Sequence, residues 1–309
     1  MSRTHRSSPR RSAVLVAAAL LLPPGLGACA REAEPRDDAD QPPRVVATIF
    51  PVGDLAARVA GEDLRIDVLV PPRADPSTFE PSARQIAELG GARAYLLVGG
   101  GMDEWLQAVP GALTGVPQTR LNDGVALRAG GEGEGTGDPH TWLDPVLVRD
   151  VWLPRIEAAL AAARPDARPR LEARSRALAD SLTALDGWLR ERLAPVRGRA
   201  FVATHSAWAY FGARYDVREL GAVHRSPGQE PSARHLAELV ERARAADARA
   251  VFTEPQLGET GARALAAELD VPMHVLDPLG GPGLEGRDGY LQLLRFNGAA
   301  IARALGDER

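Results

Sequence analysis

The ten residues EPSARQIAEL at 80–89 return as EPSARHLAEL at 230–239, with only two positions changed. A phrase written twice constrains the fold strongly if its surroundings repeat too, and here they do. RVVATIF (44–50), ended by Pro51, is strand-like, and VGDLAARVAG after it is a helix stopped by Gly61. IDVLV (66–70), the EPSAR helix and AYLLVGG (94–100) follow. The second half runs AFVAT (200–204), the helix HSAWAYFGARY, VRELGAV (217–223), the second EPSAR helix and AVFTEP (250–255). The offsets stay near 150–156 throughout. Strands that alternate with helices make parallel sheets covered by helices. The expectation is therefore α/β: two similar lobes, each a mostly parallel sheet flanked by helices. Ser82 and Gln85 have the spacing of a capping box, so the repeated phrase opens the same helix in each lobe. That opening lies at the ligand-binding end of such sheets.

Between the copies, Leu171, Leu178, Leu182, Leu185, Leu189 and Leu193 recur at helical spacing and form one apolar face. Pro169 and Pro195 bound this segment, which predicts a single long helix joining the lobes. The division is a signal segment at 1–28, a tether at 29–43, an N-terminal lobe at 44–167, a linking helix at 168–195 and a C-terminal lobe at 196–309. A length of 309 residues suits two lobes. All 37 basic residues are Arg, and the net charge of −4 speaks against a nucleic-acid partner.

The N-terminus reads as an export signal: a basic start, the short apolar run SAVLVAAALLL, then small residues. LGAC (26–29) resembles a bacterial lipobox, in which Cys29 becomes the lipidated first residue. Cys29 is the only cysteine, so the exported protein has no internal disulfide and depends on its core. The acidic, Pro-containing stretch REAEPRDDADQPPR (31–44) reads as a flexible tether to a membrane surface.

Three segments bring chemistry to strand ends. DPHTWLDP (138–145) holds His140 between two Asp-Pro corners, which predicts a rigid loop beside the Gly-rich GGEGEGTG (130–137). THSAWAYFG (204–212) puts His205 directly after a strand, at the start of a helix. HVLDPLGG (274–281) puts Asp277 after another strand. Two imidazoles and a carboxylate suit Zn²⁺ or Mn²⁺. His235 reads as a solvated helix position and His274 as a strand residue. VVATIFPVGD carries neither a dinucleotide fingerprint nor a P-loop, and the chain has no GxSxG elbow.

Taken in order, VVATIFPVGDLAARVAG, ADPSTFEPSARQIAEL, DPHTWLDP, THSAWAYFGARY and LDPLGG resemble the zinc/manganese-specific solute-binding proteins of bacterial ABC importers, over about residues 44–306. The resemblance implies a metal site between the lobes with four ligands. Three carry over as His140, His205 and Asp277. The fourth does not: the family's D-P-H-x-x-E-P reads Asp75-Pro76-Ser77-Thr78-Phe79-Glu80-Pro81 here, with Ser77 where a His is expected. Water, a substitute such as His224, or a different solute remain open for that place, and Asp75 and Glu80 are weaker substitutes. The resemblance implies a monomeric, non-enzymatic lipoprotein of the cell envelope. It would be anchored at Cys29 and pass zinc, or next manganese, to an ABC permease and its ATPase. The alternatives are a metal-dependent hydrolase, with Glu80 or Glu254 as base, and a metal-binding adhesin or chaperone without a permease.

Overall fold

The computed structural model describes residues 41–306 except 110–112, 130–136 and 225–230. The signal segment, Cys29, most of the tether and most of the acidic loop expected at 130–137 lie outside the described residues. In the N-terminal lobe, β1 (Arg44–Ala47), β2 (Arg65–Val68), β3 (Ala94–Leu97) and β4 (Gln118–Arg120) form a parallel sheet in the order β2-β1-β3-β4. In the C-terminal lobe, β5 (Ala200–Ala203), β6 (Arg218–Ala222), β7 (Val251–Thr253) and β8 (Met273–Val275) repeat that pattern as β6-β5-β7-β8, again parallel. Each sheet changes winding direction between its two central strands. Such switch points, at the carboxyl ends of the strands, are where open α/β sheets bind ligands.

The helices begin where local chemistry demands. Pro51 occupies the first turn of α1 (Phe50–Ala60), where its missing N–H is harmless, so β1 stops at Ala47, short of Pro51. The expected capping box closes α2 (Ala83–Leu89): Ser82 accepts from the Gln85 amide, and the Gln85 side chain accepts from Ser82. In the second copy, Ser232 accepts from the amide of His235 at the head of α7 (Ala233–Ala245). His235 corrects the sequence reading. It is not a solvated position but a buried one, because its Nε2 bonds the Ala222 carbonyl at 2.8 Å and ties α7 to the end of β6.

The linking helix is α5 (Arg168–Leu193), 26 residues and about 39 Å long. All six leucines of its apolar face are buried. They join one continuous core with residues of both lobes, among them Leu55, Ile156, Phe201, Phe252 and Ile301. The helix packs on α1 and on α4 (Leu153–Ala163) of one lobe and on α9 (Tyr290–Leu305) of the other. The remaining α-helices among the described residues are the one-turn α3 (Pro145–Leu147), α6 (Ala209–Tyr215) and α8 (Thr260–Leu269). Among the described residues no helix is long and apolar enough to cross a membrane.

Candidate metal centre

His140 is set by its own loop. DPHTWLDP is more regular than an open loop: Thr141–Leu143 make one 3-10 turn, and the Asp144 side chain caps α3 by accepting from the Val146 amide. The two Asp-Pro corners hold this turn in place. Asp138 Oδ1 accepts from both the backbone amide and the Nδ1 of His140, at 2.9 and 2.7 Å. Asp138 and His140 are each only 2% exposed. A carboxylate only accepts, so Nδ1 is the donor in this contact, and the neutral tautomer that fits it carries its lone pair on Nε2. Asn122 supports the loop by donating to the Pro139 carbonyl, and Tyr210 of α6 donates to the Asp138 carbonyl.

His205 is built the same way from the other lobe. It leaves the carboxyl end of β5, and its Nδ1 lies 3.2 Å from Glu254 Oε2, which follows β7. The Glu254 carboxylate also accepts from the Trp208 indole at 3.3 Å. His205 does not open a helix, as its neighbours suggested. Residues 205–208 are held off the helix, and the Trp208 amide donates to Glu219 at 3.0 Å, so α6 starts only at Ala209. The His140 and His205 rings meet with centroids 4.9 Å apart and planes at 70°. One imidazole from each lobe, each with a carboxylate behind Nδ1, is the arrangement that presents Nε2 to a metal.

Asp277 is fully buried at the end of β8. The loop carrying it is fastened to the first site loop: the Trp142 indole donates to the Pro278 carbonyl at 2.7 Å, and the Tyr290 hydroxyl donates to the Trp142 carbonyl at 2.6 Å. The Asp277 carboxylate is occupied. It accepts from Gln256, from the Leu279 and Gly280 amides, and from Arg287 at 3.1 Å. Among the described residues, no group of three or more His, Cys, Asp and Glu side chains closes into a metal cluster. The structure thus pairs His140 with His205 and leaves Asp277 bound to Arg287.

Ser77 is half-buried and donates its amide to Asp75 Oδ1 at 2.9 Å, which gives Asp75 a turn-forming role. Glu80 is exposed. His224 is half-buried, and its amide donates to the Thr204 carbonyl at 2.9 Å, which places it beside the strand end that carries His205. Sequence reasoning missed Asp138 as the partner of His140, although it stands two residues ahead of it, and it considered Glu254 only as a base. It also missed Glu219, which borders an open cleft of about 490 Å³ lined by Arg128, Ser206, Trp208 and Arg218. Burial pushes the Glu219 carboxyl up to about 7, against the lowering effect of the Ser206 hydroxyl and the Trp208 amide.

Comparison with known proteins agrees with this architecture. The family described as ZnuA, zinc-uptake complex component A, periplasmic, matches residues 45–304. The chain is 29% identical over 258 residues to the zinc-binding lipoprotein AdcA of Streptococcus pneumoniae, covering 78% of this chain and 51% of that protein. The chain thus spans about half the length of the AdcA proteins it matches. It is 26% identical over 281 residues to the high-affinity zinc uptake system protein ZnuA of Bacillus subtilis, covering 84% of this chain and 87% of that protein. A zinc-bound crystal structure of a ZnuA deletion mutant superposes with a TM-score of 0.78 at 30% identity, over 87% of this chain and all of that one. With its paired four-stranded parallel sheets, its long joining helix and a match that runs nearly from end to end of the described residues, the chain belongs to the ZnuA family of metal-binding solute-binding proteins.

Proposed function

We propose that this protein captures a divalent transition-metal ion outside the cytoplasmic membrane and passes it to an ABC permease. Zinc is the favoured cargo and manganese the next. The observation that carries the reading is the pair His140 and His205, one from each lobe, each aligned through Nδ1 by a buried carboxylate. Two imidazole nitrogens suit zinc better than a set made of oxygen alone. Asp277 supplies the third, anionic ligand. The fourth position goes to solvent or to His224, and Ser77 contributes no bond to the ion. Lipidation at Cys29 would hold the protein at the envelope surface, in keeping with the zinc-binding lipoprotein among its relatives. The hydrolase reading rested on an open coordination position with Glu80 or Glu254 as base, and membership in a family of uptake components sets it aside.

The linking helix packs on both lobes along its whole apolar face, so capture and release are expected to work through the site loops rather than through wide hinge opening. Calorimetric titration of the chelator-stripped protein with Zn²⁺ and with Mn²⁺ tests the reading. One tight equivalent, lost in His140→Ala, is the expected result. No tight binding of either ion would end it. A Ser77→His variant separates the ligand sets: tighter zinc binding places position 77 at the ion, and unchanged binding places it away.

A further inference from the structure

We propose that Arg287 sets the affinity of this site by occupying Asp277, and that the arriving divalent ion must displace it. The inference rests on the reading of Asp277 as a ligand. Asp277 Oδ1 is satisfied by three neutral donors: Gln256 Nε2 at 3.0 Å, the Leu279 amide at 3.0 Å and the Gly280 amide at 2.9 Å. The backbone is clamped by Asn297, which accepts from the Asp277 amide and donates to its carbonyl. Oδ2 takes the guanidinium through Nη1 alone, at 3.1 Å. Arg287 Nε and Gln256 Oε1, both buried, have no hydrogen-bond partner. A buried donor or acceptor left unmade costs stability, so this network is incomplete around its carboxylate.

The contrast with other ion pairs in the molecule is direct. Arg214 grips Asp144 through Nε and Nη2, and Arg170 grips Asp63 through Nε and Nη2. Two-pronged pairs are the strong ones, and Arg287 forgoes the second prong. It also has somewhere to go. Its side chain is 19% exposed, its guanidinium already lies 4.9 Å from the Phe296 ring, and the loop around it is largely exposed from Pro282 to Asp288. That loop is kept closed by three backbone bonds: Gly281 amide to Arg287 carbonyl, Leu284 amide to Gly281 carbonyl and Arg287 amide to Leu284 carbonyl. A doubly charged ion at Oδ2 replaces the single charge of the guanidinium and releases Arg287 toward solvent. The empty protein thus keeps its buried carboxylate neutralised, and part of the metal's binding energy goes into breaking that pair.

Zn²⁺ affinity, measured by competition with a chromophoric chelator on the full chain, tests the proposal. Arg287→Gln is expected to bind zinc about tenfold tighter or more, because the metal then supplies the only counter-charge to a buried carboxylate. The double variant Asp277→Asn with Arg287→Gln should lose that gain. A folded Arg287→Gln with unchanged or weaker affinity overturns the proposal. An Asp277→Asn variant that binds as tightly as wild type, while His140→Ala does not bind, removes Asp277 from the ligand set and the proposal with it. Absence of tight binding in the wild type would instead refute the metal-capture reading itself. Arg287→Gln leaves Asp277 unpaired and endangers folding, so a second measurement uses the wild type. Zinc loading should speed hydrogen exchange at the amides of Gly281 and Arg287 while core amides slow. Unchanged or slowed exchange at those two amides overturns the displacement.

Discussion

At the scale of single residues, the candidate centre is a set of charges held in place by neighbours rather than a set of ligands alone. Asp138 contributes orientation: without it the His140 ring is free to take the other tautomer. Asp138→Asn, which keeps the shape and removes the charge, is expected to weaken zinc binding about 10- to 100-fold with little loss of stability, read by calorimetry and a thermal melt. Glu219 acts on a different quantity. Its carboxyl is raised from an ordinary 4.5 to about 7, so between those values the folded protein holds a proton that the unfolded chain has released. Stability must therefore fall as pH rises through that window. Glu219→Gln removes the slope and still accepts from the Trp208 amide. It should match the wild type near pH 4.5 and exceed it at pH 8 by about 1 kcal/mol, a figure reduced because the side chain is only half-buried and borders an open cleft. Equal stability of the two proteins at pH 8 would contradict this. The sequence made His140, His205 and Asp277 visible because each directly follows a strand or sits between prolines. Arg287 was not visible: it lies ten residues beyond Asp277 in a Gly-rich loop, in a chain where every basic residue is Arg.

Among the elements, one tight contact that bears on the centre is between α9 and α5. A Cβ on Gly298 would stand 2.3 Å from a Leu189 methyl, and Leu189 is fully buried, so its side chain has little room to turn. Asn297, the neighbour of Gly298, is the residue that clamps the Asp277 backbone from both sides. Gly298→Ala should thus destabilise by about 1–3 kcal/mol, seen as a lower urea midpoint, and should loosen the Asp277 loop along with it. An unchanged midpoint would mean that α9 can slide on α5 without cost. The elements that sequence made legible are those with a repeated partner or a long apolar stripe. The three shared strands, both EPSAR helices and the linking helix all fall within a few residues of their expected bounds. β4 escaped because QTR is three residues with no apolar alternation, and its pairing with β3 places it, not its composition. His235 was misjudged because its helix position is polar by pattern, while the Ala222 carbonyl facing it helps make burial favourable.

For the whole molecule, the question is what fastens two lobes to one helix. The apolar core does most of it, and one polar anchor adds to it. Asp63, just past α1, accepts from Arg170 at 2.6 Å and from Arg174 at 2.8 Å, both on α5. The bond from Arg170 above all, then Arg174, holds its carboxyl well below the usual carboxylate range in spite of burial. A carboxyl depressed in the folded state contributes stability above its unfolded value of about 4, and that contribution disappears as pH falls toward the folded value. Asp63→Asn should therefore cost about 1–2 kcal/mol at neutral pH, discounted because Arg170 is half-exposed to solvent. The gap between variant and wild type should narrow steadily below about pH 4. Denaturant unfolding at a series of pH values measures both. A gap that stays constant down to about pH 2, below most of the titration, would mean that the substitution disturbs packing rather than an ion pair. In that case the anchor of the first lobe on the linking helix would be apolar throughout.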